Sequence, residues 1–300
     1  MNSTHTSPTD IAPTDLALKQ DAPKQDTPKQ DAQQRVATKR AAATFVITVL
    51  GVITLVCGSF LLSNQEIPDW FLIAGRWIPA IIAIIVILTF RLRGGIIHWT
   101  KIRPAGFWRT VLATLASTAA LVATYLGMAA VFGAVSGIEL LPWPAIGQAL
   151  LLTVPMALVF VLSTIGEEAA WRGFLQTALE RWGFWRMACT ISGVWVLFHV
   201  PIHGTMALQG VMSPDIAISS TLGLFGFGIF LSAITVRFES VWPAAFAHAV
   251  PFSVLNLLES PDSLTPVLLY GITFATVIAL AAVGAAFTLR RRKPGTLERS

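Results

Sequence analysis

Beyond residue 40 the chain alternates long apolar runs with short polar gaps. The runs cover 42–62, 70–90, 107–133, 145–165, 187–203, 216–236, 241–258 and 265–289. A helix needs roughly 20 apolar residues, within about 17–25, to cross the hydrocarbon core of a bilayer. Two of the runs, 187–203 and 241–258, sit near the lower limit. A membrane barrel would show segments of about ten residues with alternating polarity. The unbroken stretches Ala42 to Leu62 and Thr265 to Leu289 do not alternate. No water reaches the backbone in lipid, so a spanning segment has to satisfy its own amides, as a helix does. The pattern predicts an all-α fold: a polytopic helical membrane protein with about eight transmembrane helices, occupying 41–289.

Composition agrees that lipid is the main solvent. With 54% hydrophobic and 12% charged residues, too little polar surface remains to cover a water-soluble globule of 300 residues. Residues 1–40 differ. They are rich in Pro, Thr, Lys, Gln and Asp and carry a five-residue echo, Leu18-Lys19-Gln20-Asp21, Pro23-Lys24-Gln25-Asp26 and Pro28-Lys29-Gln30-Asp31. Nothing there can build a core, so a disordered tail is expected. No apolar stretch precedes Arg40, so no secretory signal is expected.

Charge sets the orientation. The net charge is +5, yet the basic residues gather at span ends and form no patch, so no nucleic-acid partner is expected. Arg35, Lys39 and Arg40 precede the first span; Arg91, Arg93, Lys101, Arg103 and Arg109 crowd the second loop; Arg172, Arg181 and Arg186 follow the fourth span; Arg290 to Lys293 follow the last. The alternate loops carry Glu66, Asp69, Glu139, Asp215, Glu259 and Asp262. Basic loops stay inside. Eight spans with both termini cytoplasmic fit every loop, giving a multi-pass protein of the plasma membrane whose 290–300 segment is a basic cytoplasmic tail. Cys57 and Cys189 fall inside apolar runs and read as small buried side chains.

The informative positions are polar groups within the spans, where an ionisable side chain costs several kcal/mol unless paired or wet. They are Arg76 in the second span, Glu167, Glu168 and Arg172 at the end of the fourth, His199 and His203 in the fifth, and His248 with Asn256 in the seventh. On a continuous helix Glu168 and Arg172 stand at i and i+4, acid first, the favourable order for an ion pair. Glu167 points about 100° away and is solvated or aimed at another helix. A histidine would suit it, since a carboxylate and an imidazole together can take a proton from water near neutral pH. His199 and His203 share the i, i+4 spacing of metal ligands, but Pro201 between them is expected to disturb the helix. Arg76 reads as a snorkelling interfacial residue.

Glu167-Glu168-x-x-x-Arg172, Trp195-x-x-x-His199 and a later His248 on a separate span resemble the CPBP family of intramembrane proteases. That family groups the CAAX prenyl endopeptidases with bacterial Abi and bacteriocin-processing or immunity proteins. The likeness covers about 145–260. It implies that Glu167 activates a water, that Glu168 and Arg172 form a supporting pair, and that His199 and His248 complete the site. Two positions depart from the family pattern. Trp195 stands where Phe is usual, and Phe252 stands four residues after His248, where Asn or Asp is usual. Asn256, one turn further, is then the candidate oxyanion donor.

The resemblance implies an intramembrane endopeptidase acting on a membrane-associated peptide or protein. Its metalloprotease label would make Glu167, His199 and His248 ligands of a Zn2+ ion with an open position for water. The sequence has no His-Glu-x-x-His element, and metal-free attack by a glutamate-activated water stands beside that reading. The alternative function is a non-catalytic immunity or scaffold protein of the same fold. A transporter would show paired half-repeats, and no internal repeat stands out.

Overall fold

A computed structural model of the chain describes residues 28–251, 253–260 and 264–289. Among them, seven helices are long and apolar enough to cross a membrane. The first, α1 (Pro28–Leu62), is followed by α2 (Asp69–Ala74) and α3 (Ile78–Thr89), joined through a 3-10 turn at Gly75–Trp77 into one crossing. A short α4 (Gly95–Thr100) precedes α5 (Phe107–Ser136) and α6 (Trp143–Glu168). The sixth helix continues as a π-helical segment, Ala169–Leu175, into α7 (Gln176–Leu179). The chain then forms α8 (Phe184–Leu208), α9 (Pro214–Phe238), the short α10 (Trp242–His248) and α11 (Pro266–Leu289).

Two expectations are corrected. Residues 28–40, expected to be disordered, are the first turns of α1. The helix opens on Pro28, carries Asp31 in its first turn, and continues through Ala, Gln, Lys and Arg, which favour helix whatever their polarity. The rest of the N-terminal tail and the basic 290–300 segment lie outside the described residues.

The second correction concerns 241–258, expected to be the seventh spanning helix. Only Trp242–His248 is α-helical there. Pro251 lacks an amide hydrogen and disfavours helical dihedrals in the residue before it, so the helix stops. The segment is tied down at both ends by backbone contacts. At its start Val241 N donates to Lys101 O at 3.2 Å and Trp242 Nε1 to Ile102 O at 2.7 Å. At its end Leu141 N donates to Leu257 O at 3.0 Å and Glu259 N to Glu139 O at 2.9 Å. Those two anchoring loops lie at opposite ends of α5, whose 30 residues span about 45 Å.

The buried core runs between α1, α8, α9 and the π-helical segment, with Phe45, Trp171, Phe174, Trp195 and Phe230 fully buried. Outward faces are apolar, as at Leu55, Ile85, Leu151 and Ile278, which lipid rather than water accommodates. Cys57 and Cys189 are unpaired.

Candidate active site

The charged residues of the fourth span are buried where α6 gives way to the π-helical segment. Glu167 is 2% exposed, and Glu168 and Arg172 are fully buried. A π-helical turn inside an α-helix widens the winding and recurs at functional sites. The expected ion pair forms within it, with Arg172 Nη1 donating to Glu168 Oε1 at 3.1 Å. The same oxygen stands 2.8 Å from His248 Nδ1, brought in by α10. A carboxylate oxygen accepts, so Nδ1 of His248 carries the hydrogen and Nε2 keeps its lone pair.

Glu167 faces a different set of groups. Trp195 Nε1 of α8 donates to its Oε2 at 2.7 Å. Arg76 Nε, from the 3-10 turn between α2 and α3, lies 3.6 Å from Oε1. Its carboxylate also interacts electrostatically with His199 and His248. Two carboxylates and two guanidiniums are therefore gathered here, so each buried acid has a cation beside it. Gly166 permits the approach of Arg76. A Cβ at Gly166 would stand 2.8 Å from Arg76 O and 3.0 Å from Trp77 Cα, closer than real side chains come.

His199 Nδ1 donates to Trp195 O at 2.9 Å, one turn back on α8. A carbonyl cannot donate, so the free Nε2 is a proton acceptor. Pro201 does not break α8, which is helical from Phe184 to Leu208, and the His199 and His203 rings lie 5.5 Å apart. His203 Nδ1 is 2.8 Å from Thr221 Oγ1 on α9. Thr221 donates its own hydrogen to Ala217 O, so His203 is the donor.

A cavity of about 230 Å³ opens beside these groups, with Arg76, Glu167, His199 and His203 on its polar wall and Ile53, Phe71, Phe198 and Met206 among its apolar ones. Of the residues singled out from sequence, Arg76, Glu167, His199 and His203 thus share one cavity. Glu168, Arg172 and His248 form the buried layer beside it. Asn256 joins neither. Its Oδ1 accepts from Ser253 N at 2.8 Å and Ser253 Oγ at 3.0 Å, within its own turn. The oxyanion expectation placed Asn256 on a continuation of the His248 helix, and that helix ends at His248. Phe252 lies outside the described residues.

The structure gives three of the named groups new roles. Arg76, expected to snorkel, is 34% exposed and points its Nε at Glu167. His203 reaches the cavity because Pro201 is absorbed. Trp195, which stands where the family usually has Phe, is a hydrogen-bond donor to the candidate base. The signal for Arg76 was present in the sequence as a lone cation in an apolar span.

A tetrahedral zinc site needs three protein donors around one point. Among the described residues no group of three His, Cys, Asp or Glu side chains is placed to hold a metal ion. Glu167 has one oxygen taken by Trp195 and a guanidinium beside the other. Glu167, His199 and His248 as placed do not fit the zinc set that the resemblance implied.

No curated protein matches the chain. Residues 148–254 match the family described as type II CAAX prenyl endopeptidase Rce1-like, a stretch that contains Glu167, Glu168, Arg172, Trp195, His199 and His248. That segment of this polytopic helical membrane protein is similar to the Rce1-like family of type II CAAX prenyl endopeptidases.

Proposed function

We propose that the protein is an intramembrane endopeptidase that hydrolyses a peptide bond of membrane-associated, CAAX-like substrates with a water activated by Glu167. The observation that carries this is the shared cavity: an ionisable carboxylate and a proton-accepting imidazole, Glu167 and His199, stand on one wall. The Glu167 carboxylate takes a proton from the water, and His199 Nε2 accepts a hydrogen bond from the water's other hydrogen and aligns it. The water oxygen bonds to the carbonyl carbon, and the carbonyl π electrons move to oxygen. When the tetrahedral intermediate collapses, the C–N bond breaks and the proton held by Glu167 passes to the departing amine. Glu168, Arg172 and His248 hold the helices that carry these groups. The basic loops orient the site within a plasma membrane, both termini on the cytoplasmic side.

The test is cleavage of a library of membrane peptides by purified wild type and Glu167→Gln in the same detergent. Glu167→Gln should lose cleavage and keep its melting temperature, and a fully active variant would sink the mechanism. The turn that occupies Asn256 favours a second reading, a non-catalytic scaffold or immunity protein of the same fold, because it withholds an oxyanion amide. A wild type that binds peptides and cleaves none would select it.

A further inference from the structure

We infer that Trp195 is the positioning residue of this site, holding Glu167 through its indole N–H and His199 through its own carbonyl. The inference rests on the endopeptidase reading above. Trp195 is fully buried and meets each group in turn. Its Nε1 donates to Glu167 Oε2 at 2.7 Å. Its carbonyl accepts from His199 Nδ1 at 2.9 Å. The Arg172 guanidinium lies 4.3 Å from the centre of its ring, and the His248 ring meets it edge-on with centroids 5.3 Å apart.

An indole N–H usually finds an acceptor, most often a backbone carbonyl. Trp77, Trp99 and Trp242 donate to the carbonyls of Leu162, Arg93 and Ile102. Trp195 donates to a carboxylate instead. A glutamate has three rotatable torsions, the last of them broad, so a single ion-pair contact at 3.6 Å leaves its oxygens free to swing. The Trp195 bond fixes Oε2 and leaves Oε1, the oxygen on the Arg76 side, for the water. Because one residue bonds both the base and the imidazole, their separation is set by a single rigid side chain and one helical turn. A phenylalanine here would keep the ring face under Arg172 and lose the donor.

Trp195→Phe therefore isolates the hydrogen bond. With a peptide the wild type cleaves, kcat should fall by about tenfold to a hundredfold, the size of one hydrogen bond to a charged group, with KM unchanged. The melting temperature should stay close to that of wild type. A second measurement needs no substrate. In protein labelled with ¹⁵N-tryptophan, the Trp195 indole resonance is the one missing from Trp195→Phe. It should move upfield in Glu167→Gln, where the acceptor is no longer charged. Wild-type kcat in Trp195→Phe, or an indole resonance that ignores Glu167→Gln, overturns the inference. A wild type that cleaves no peptide overturns the endopeptidase reading and the role with it, while the indole shift still reports whether the bond exists.

Discussion

Oε1 of Glu168 is shared: His248 Nδ1 stands 2.8 Å from it and Arg172 Nη1 3.1 Å. A buried carboxylate that loses its cation keeps an uncompensated charge, at a cost of about 3–5 kcal/mol. Arg172→Met should therefore lower the melting temperature in detergent by on the order of 10 °C. Adding Glu168→Gln to Arg172→Met removes that charge and keeps an acceptor for His248, so the double variant should recover more than half of the loss. If it is no more stable than Arg172→Met alone, Glu168 is not held by this pair.

Arg76 separates a snorkelling role from a role at the site. Its side chain is 34% exposed and sits 3.6 Å from the buried Glu167, a long, half-solvated contact whose loss costs less stability than that of a fully buried pair. It is also one of the charged groups on the cavity wall. Arg76→Gln should lower kcat/KM by about tenfold, from the lost field beside Glu167, and shift the melting temperature by no more than a few degrees. Cleavage within twofold of wild type would return Arg76 to the membrane interface.

The sequence displays the helices more fully than the site. Apolar length locates the crossings, because lipid demands self-satisfied helices of a minimum length. It misjudges 241–258, where one proline outweighs an apolar run. The Glu168–Arg172 pair is legible because i, i+4 spacing fixes the neighbours on one helix. The Glu167–Trp195 and Glu167–Arg76 contacts join residues 28 and 91 positions apart, and no local period encodes them. Trp195 illustrates the limit well: its hydrophobic character is visible in sequence, while the acceptor its N–H finds depends on how α8 packs against α6. The N-terminal boundary fails for the opposite reason. Polar composition alone suggests disorder, whereas residues 28–40 have the propensity to extend the helix that continues into the first apolar run.

Gly166 sets the approach of the α2–α3 break to Glu167. A methyl group there would meet Arg76 O at 2.8 Å and Trp77 Cα at 3.0 Å, both backbone atoms. Gly147 on the same helix has nothing within 4 Å of the equivalent position. Gly166→Ala should cost about 1–3 kcal/mol by overpacking and reduce cleavage by displacing Arg76. Gly147→Ala should be neutral or slightly stabilising, since alanine favours the helix. Thermal melts of the two variants side by side check this, and equal melting temperatures would refute the close approach.

Metal dependence follows from the donors. With Trp195 and Arg76 at its two oxygens, Glu167 offers a divalent cation a poor ligand beside a fixed positive charge. Purified protein should carry zinc well below one ion per chain, and incubation with a strong chelator should leave cleavage unchanged. Elemental analysis and a chelator titration measure both. Stoichiometric zinc whose removal abolishes cleavage would mean that Glu167, His199 and His248 rearrange around a metal.

Gly228 on α9 faces the buried pair from the opposite helix. A Cβ at this position would fall 2.5 Å from Ser192 Oγ, 3.0 Å from Ser192 Cβ and 3.1 Å from Arg172 Nη2. Ser192 belongs to α8 and is fully buried, and its Cβ is fixed to the helix backbone, so that contact is not relieved without moving a helix. Gly228→Ala should therefore destabilise by about 1–3 kcal/mol and weaken cleavage, because Arg172 transmits the displacement to Glu168 and to the Trp195 ring it covers. Ser192→Gly removes both nearer atoms and leaves only the end of a flexible side chain. The double variant Gly228→Ala with Ser192→Gly should regain stability relative to Gly228→Ala, a non-additivity expected only of residues in contact. Strict additivity in a thermal double-mutant cycle would show that the two positions do not share that space.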